Sequence, residues 1–210
     1  MALVSQMAMV LVRSLQDKGL VDLKGAVANL APSRARARLV RGTLVELGLG
    51  AVPVATGTDG GFTKYIPSFE ETARDYIVPD DATFDHTCGI DLLNQLYETA
   101  AENSLELLCI SSLKDAAEFL RAHEQLFLSK TKAVTIMGGV MPFDQNADDE
   151  LLVPDTAHNN TFDKEASDFF YRRCQEIRVP LIIVSRHAAM QCPMPRSIYD
   201  DMAQTGDCYF

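Results

Sequence analysis

The sequence contains no tryptophan, and aromatic residues make up only 8% of it. Its five cysteines, Cys88, Cys109, Cys174, Cys192 and Cys208, are odd in number, scattered and without any C-x-x-C pair. That spacing excludes a zinc signature and a disulfide framework, and it fits a reducing compartment. Cys109, inside the apolar run "LELLCI", reads as a small core residue. Nowhere does the chain reach the roughly 18 consecutive apolar residues that a membrane span needs. The amino-terminal "MALVSQMAMVLVRSL" lacks a basic leading segment, and Ser5, Gln6 and Arg13 interrupt it, so it does not read as a signal peptide. Positive charge is scarce: 19 basic residues face 29 acidic ones, for a net charge of −10. Such a balance argues against non-specific binding to nucleic acid or an anionic membrane surface. The local exception is "PSRARARLVR", where Arg34, Arg38 and Arg41 share one helical face; it reads as a solvated face. Together these absences point to a cytoplasmic protein with neither nucleic acid nor membrane as partner.

What is present is a core. Hydrophobic residues form 47% of 210 residues, enough for one domain, and residues 1–210 are read as a single one. Periodicity predicts helices over 6–18, 33–48, 89–104, 112–130, 163–178 and 195–204, with Pro32-Ser33 opening the second. Apolar runs at 23–31, 51–57, 105–111, 132–139 and 179–186 read as strands. Residues 58–61 ("TDGG") form a turn, and 140–162 a long loop. Five buried strands alternating with helices predict an α/β fold: a Rossmann-like, open, mostly parallel sheet with helices on both faces.

In such sheets ligands sit beyond the carboxyl ends of the strands. Asn29, Thr58 and Asp59, Ser111 and Ser112, Gly138 and Gly139, and Ser185 to His187 all fall there. The stretch "LLVPDTAHNNTFDKEASDFF" (151–170) follows the fourth strand and crowds Asp155, His158, Asn159 and Asn160 together. Asparagine offers a carbonyl acceptor and two N–H donors, so the stretch is either a hydroxyl-binding site or a loop ending in a helix cap at Asp163. Ser112 with Asp115 three residues on resembles a capping box. His158 and His187 read as exposed side chains. Asp80, Asp81 and Asp85 with His86, and Asp148, Asp149 and Glu150, read as solvated loops.

In their order along the chain, "GAVANLAPSRARARLVRGTLVELGLGAVPVATG", "LELLCISSLKDAAEFL", "KAVTIMGGV", "TAHNNTFDKEAS" and "VPLIIVSRHAA" resemble the inosine/uridine-preferring nucleoside hydrolase family. "NLAPSRARARL", "GTDGG" and "PDTAHNNTFD" are similar to a divergent branch that includes effectors of plant-pathogenic bacteria. The resemblance implies hydrolysis of the N-glycosidic bond of ribonucleosides and a Ca²⁺ ion held by aspartates. An oxocarbenium-like transition state needs a nearby anion and an activated water. Carried over by position, Asn29 and Asn159 fall on ribose contacts, and Ile110 on a residue whose backbone carbonyl ligates calcium. Ala157 replaces a hydroxyl-binding Glu, for which Asp155, Asn160 or His158 would compensate.

The ends depart from the family pattern. Val4 and Ser5 stand where paired aspartates belong, and the sequence stops before the family's His-Asp pair. The domain is therefore expected to be truncated at both ends, with no catalytic residue assigned and calcium binding in doubt. Two functions remain open: a nucleoside hydrolase with impaired activity, and a non-catalytic ribosyl-ligand binder or interaction scaffold. Self-association into a homo-oligomer is expected through strand edges left unpaired.

Overall fold

A computed structural model describes residues 2–61, 77–79, 88–142, 151–193, 195 and 197–204. The two acidic groups 80–86 and 148–150 lie outside the described residues. Helix α1 (Ala2–Asp17) leads into β1 (Ala26–Ala28), α2 (Ser33–Glu46) and β2 (Val54–Thr56). Then come α3 (Gly89–Thr99), β3 (Leu105–Cys109), α4 (Lys114–Ala122), α5 (Glu124–Lys130) and β4 (Thr131–Gly138). The remainder is α6 (His158–Phe162), α7 (Lys164–Glu176), β5 (Leu181–Ser185), α8 (Arg186–Gln191) and α9 (Ser197–Gln204). The α/β alternation and the parallel pairing expected from the sequence are both present.

The strands do not form one continuous sheet. Among the described residues β1 pairs with β2, and β3, β4 and β5 form a second sheet in that order. The predicted strands 23–31 and 51–57 shrink to three residues each, and among the described residues each has one ladder partner. The two sheets nonetheless share packing. Val27 packs against the large core of the second sheet, whereas its neighbour Ala28 belongs to the smaller core with Leu44, Leu47 and Val54. Successive strand residues point to opposite faces, so α3 covers one face of β1 and α2 the other.

The larger core lies between β3–β5 and helices α3, α4, α5 and α7. Its centre is aromatic: Tyr97, Phe119, Phe127 and Phe170 have ring centroids 4.7–6.3 Å apart. On the opposite face of this sheet Leu108 and Ile182 are 52% and 53% exposed, and both stand in register with Thr135. The alternation of helices and parallel strands follows the expected fold class, and among the described residues Leu108 and Ile182 leave part of one face of β3–β5 exposed. The predicted helix 112–130 is interrupted at His123, which leaves helical geometry at φ −133° and ψ 42°. Separate packing of Phe119 and Phe127 into one aromatic cluster favours the break, and no Gly or Pro marks it in the sequence. The arginine face is less solvated than predicted. Arg38 donates to Val78 O and Arg41 to Gly50 O and Val52 O, tying α2 to neighbouring loops.

Candidate functional site

The carboxyl ends of the strands carry two polar clusters. The first joins the two sheets. Asn29 follows β1 directly, and its Nδ2 donates to Ser112 O (2.9 Å) and Asp115 Oδ2 (2.7 Å). Asp115 also accepts from Thr58 N (2.7 Å) and Thr58 Oγ1 (2.8 Å). The capping box expected from Ser112 and Asp115 is thus not made: the carboxylate turns away from its own helix to the ends of β1 and β2. Ser112 Oγ does reach Lys114 N (3.3 Å), and it donates to Gly60 O (3.0 Å).

The chain is bent sharply beside Asn29. Leu30, a bulky residue, sits at φ +75°, a left-handed conformation that costs such a side chain roughly 1–3 kcal/mol. It is held there by Leu30 N to Thr58 O and Ala31 N to Asp59 O, both 3.1 Å. Strain of this kind gathers at functional sites.

The second cluster is the asparagine-rich stretch. Val140 and Pro154 form an antiparallel bridge, and Met141 N donates to Val153 O (2.8 Å), so the returning chain lies along the end of β4. That return places α6 beneath the strand end, where the sequence predicted only loop. Asn160, 2% exposed, donates from Nδ2 to Gly139 O (3.0 Å) and Asp155 Oδ1 (3.2 Å). Its Oδ1 accepts from Tyr171 Oη (3.3 Å). Burial pushes the Tyr171 hydroxyl up to about 12, so it stays protonated and able to donate. Asp155 caps its own turn through Ala157 N (2.7 Å). Gly138 and Gly139 permit this approach: a Cβ on Gly138 would meet Tyr171 Oη at 2.6 Å, and one on Gly139 would overlap the Asp155 carboxylate. Asp163 caps α7 through Ala166 N (3.0 Å), as the sequence indicated.

Asn159 differs from its neighbour. It is 4% exposed, and Nδ2 donates to Met137 O at 2.8 Å. Among the described residues nothing donates to its Oδ1, yet no buried side-chain polar atom is left sealed without a partner. Asn159 Oδ1 is therefore not fully sealed from solvent, and the same reasoning applies to Asn29 Oδ1. Asn29 spends both amide hydrogens inside the protein and Asn159 one of its two, and among the described residues nothing donates to either carbonyl. His158, at the exposed start of α6, stacks edge-on with Phe162 (4.6 Å), and His187 is exposed on α8. Sequence reading missed Asp115 as a member of the site. A burial clue existed in the apolar neighbours of "SLKDAAEFL", but a cap explained the residue locally.

A calcium shell does not fit these residues. Calcium takes about six to eight oxygens, from carboxylates, backbone and amide carbonyls and waters. Among the described residues no group of three or more His, Cys, Asp or Glu side chains is placed to hold a metal. The one buried carboxylate among them, Asp115, already accepts from three donors. Ile110, expected to lend its carbonyl, follows β3 beside Ser111 and Ser112. Nor is any helix among the described residues long and apolar enough to cross a membrane.

No protein-family profile matches the chain, and no curated protein matches it by sequence. Solved structures do. The type III effector protein XopQ, in complex with adenosine diphosphate ribose, is 27% identical with a TM-score of 0.78, over 93% of this chain and 58% of that one. The effector protein XOO4466 is also 27% identical, with a TM-score of 0.80 over 96% of this chain and 57% of its own. The inosine-uridine preferring nucleoside hydrolase from Bacillus anthracis shares the fold at 17% identity and a TM-score of 0.57, over 88% of this chain and 63% of its own. The chain thus spans less than two thirds of the length of these neighbours. Its parallel strands, their covering helices and these superpositions together define a divergent nucleoside hydrolase-like α/β fold.

Proposed function

We propose that this chain binds a ribosyl ligand beyond the carboxyl ends of its strands, without hydrolysing it. The observation that carries the reading is Asn159: Nδ2 is fixed on Met137 O, and among the described residues nothing donates to the carbonyl. A sugar hydroxyl is the matching donor. Asn29 offers a second acceptor from the first cluster. Asn160 and Asp155 support the loop that carries Asn159. The complex of XopQ with adenosine diphosphate ribose makes that compound, adenosine and ribose the ligands to try.

Two neutral hydrogen bonds contribute roughly 0.5–1.5 kcal/mol each, far below the roughly 8 kcal/mol of a micromolar complex. Ribose alone should therefore bind in the millimolar range, with little response to calcium. Titration of ribose into the ¹⁵N-labelled chain and into Asn159→Ala tests this. Micromolar ribose affinity, or an unchanged response in the variant, would overturn the reading. Incubation with inosine and uridine should release no ribose in a calcium-dependent manner; release abolished by a chelator would restore the hydrolase alternative. A cytoplasmic location belongs to the same reading, as does self-association through the unpaired edges of β1 and β3. Among the described residues each of these two strands is paired on one side only, and size-exclusion chromatography reads the outcome: a monodisperse monomer would count against self-association.

A further inference from the structure

Asp115 is 5% exposed, and both of its oxygens are occupied by donors from outside its helix. Oδ1 accepts from Thr58 N, and Oδ2 accepts from Thr58 Oγ1 and Asn29 Nδ2. Two glycines make room for it. A Cβ on Gly57 would lie 2.7 Å from Asp115 Oδ1, and one on Gly89 would lie 3.4 Å from the same atom. The other Asn29 amide contact is Ser112 O, so both hydrogens of that amide are spent. We infer that Asp115 is a positioning residue that fixes the polarity of the ribosyl site. By holding Asn29 Nδ2, it leaves only the Asn29 carbonyl oxygen for a ligand, and so selects a hydroxyl donor there over an acceptor such as a phosphate oxygen. The ligand half of this inference rests on the ribosyl reading; the orientation half does not.

An ionised carboxylate only accepts, whereas an amide has one accepting and one donating end. In Asp115→Asn the accepting end is claimed by Thr58 N–H, a backbone donor that cannot rotate away. The donating end then faces Asn29 Nδ2, donor against donor. The Thr58 hydroxyl can turn and accept, but the Asn29 amide must either withdraw or flip at the cost of its bond to Ser112 O, and a flip puts its N–H₂ group toward the ligand side. Amide orientation is thus set by a residue that need not touch the ligand.

Side-chain amide exchange with water, followed by NMR, reads the orientation directly. Gln191, exposed on α8, serves as the internal reference. In the wild type both Asn29 amide protons should exchange at least about tenfold more slowly than those of Gln191, as a charge-assisted hydrogen bond implies. In Asp115→Asn that protection should be lost. In Thr58→Ala, which removes one donor but keeps the carboxylate, it should persist. Fast exchange in the wild type overturns the inference even if Asp115→Asn fails to fold. Unchanged protection in a folded Asp115→Asn, or equal loss in Thr58→Ala, overturns it as well. Adenosine titration supplies the ligand half: affinity should fall at least about threefold in Asp115→Asn, the loss of a fraction of one hydrogen bond. An amide that turns with no change in adenosine affinity overturns the specificity role. Absence of adenosine binding by the wild type refutes the ribosyl reading itself, and the exchange rates still decide the Asp115 contact.

Discussion

Replacing Asn160 by alanine should damage stability, whereas replacing Asn159 should damage binding, although the two residues are adjacent and equally buried in sequence terms. Asn160 Nδ2 makes two good contacts, to Gly139 O and Asp155 Oδ1, and Oδ1 receives the Tyr171 hydroxyl. Each net hydrogen bond is worth about 1 kcal/mol. Tyr171 keeps an alternative acceptor in Gly139 O at 3.4 Å, and Gly139 O keeps Asp155 N at 3.1 Å, so neither group is orphaned. The loss is therefore about 2–3 kcal/mol, and not more. In a chain of this size it lowers Tm by roughly 4–12 °C. Asn159→Ala removes one bond, to Met137 O, and should cost about 1 kcal/mol. Urea unfolding followed by circular dichroism gives both values, with a lower midpoint and an unchanged slope. The reasoning fails if Asn160→Ala is within about 0.5 kcal/mol of wild type. It also fails if Asn159→Ala is the less stable of the two.

Phe127, fully buried among Tyr97, Phe119 and Phe170, should lose about 3–5 kcal/mol as Phe127→Ala; a loss under about 1 kcal/mol by urea titration would contradict that packing. Glu124 is held below its usual range by the hydrogen bonds from Arg173 (2.6 and 2.8 Å). A depressed folded-state pKa gives stability that is present above the unfolded value, near 4.5, and lost as pH falls through the folded one. Arg173→Leu should therefore flatten the acid limb of the stability curve below that pH, and an identical limb in variant and wild type would sink the assignment. Burial pushes the Cys109 and Cys174 thiols up to about 12, whereas Cys88 and Cys192 are exposed. Since the thiolate is the reactive species, iodoacetamide should label Cys88 and Cys192 in the native protein and reach Cys109 and Cys174 only in denaturant, as peptide mapping would show.

The sequence by itself determined the order of elements and the parallel pairing, and it put the candidate site at the strand ends. Those features are local or nearly so: apolar runs bounded by Gly, Pro and Asn specify strands and their ends, and strand ends in a parallel sheet share one edge. The resemblance placed Asn29 and Asn159 at that edge, and Asp163 was legible as a cap because capping involves only the next three residues. Tertiary structure decided everything that depends on partners distant in sequence. The resemblance separated Asn159 from Asn160 by position, but their hydrogen bonding differs because one amide meets Met137 O and the other meets Gly139, Asp155 and Tyr171. Asp115 read as a local cap, yet its donors come from 57 and 86 residues away. The division into two sheets was likewise invisible, since a strand's sequence states that it wants neighbours but not whether both edges find them.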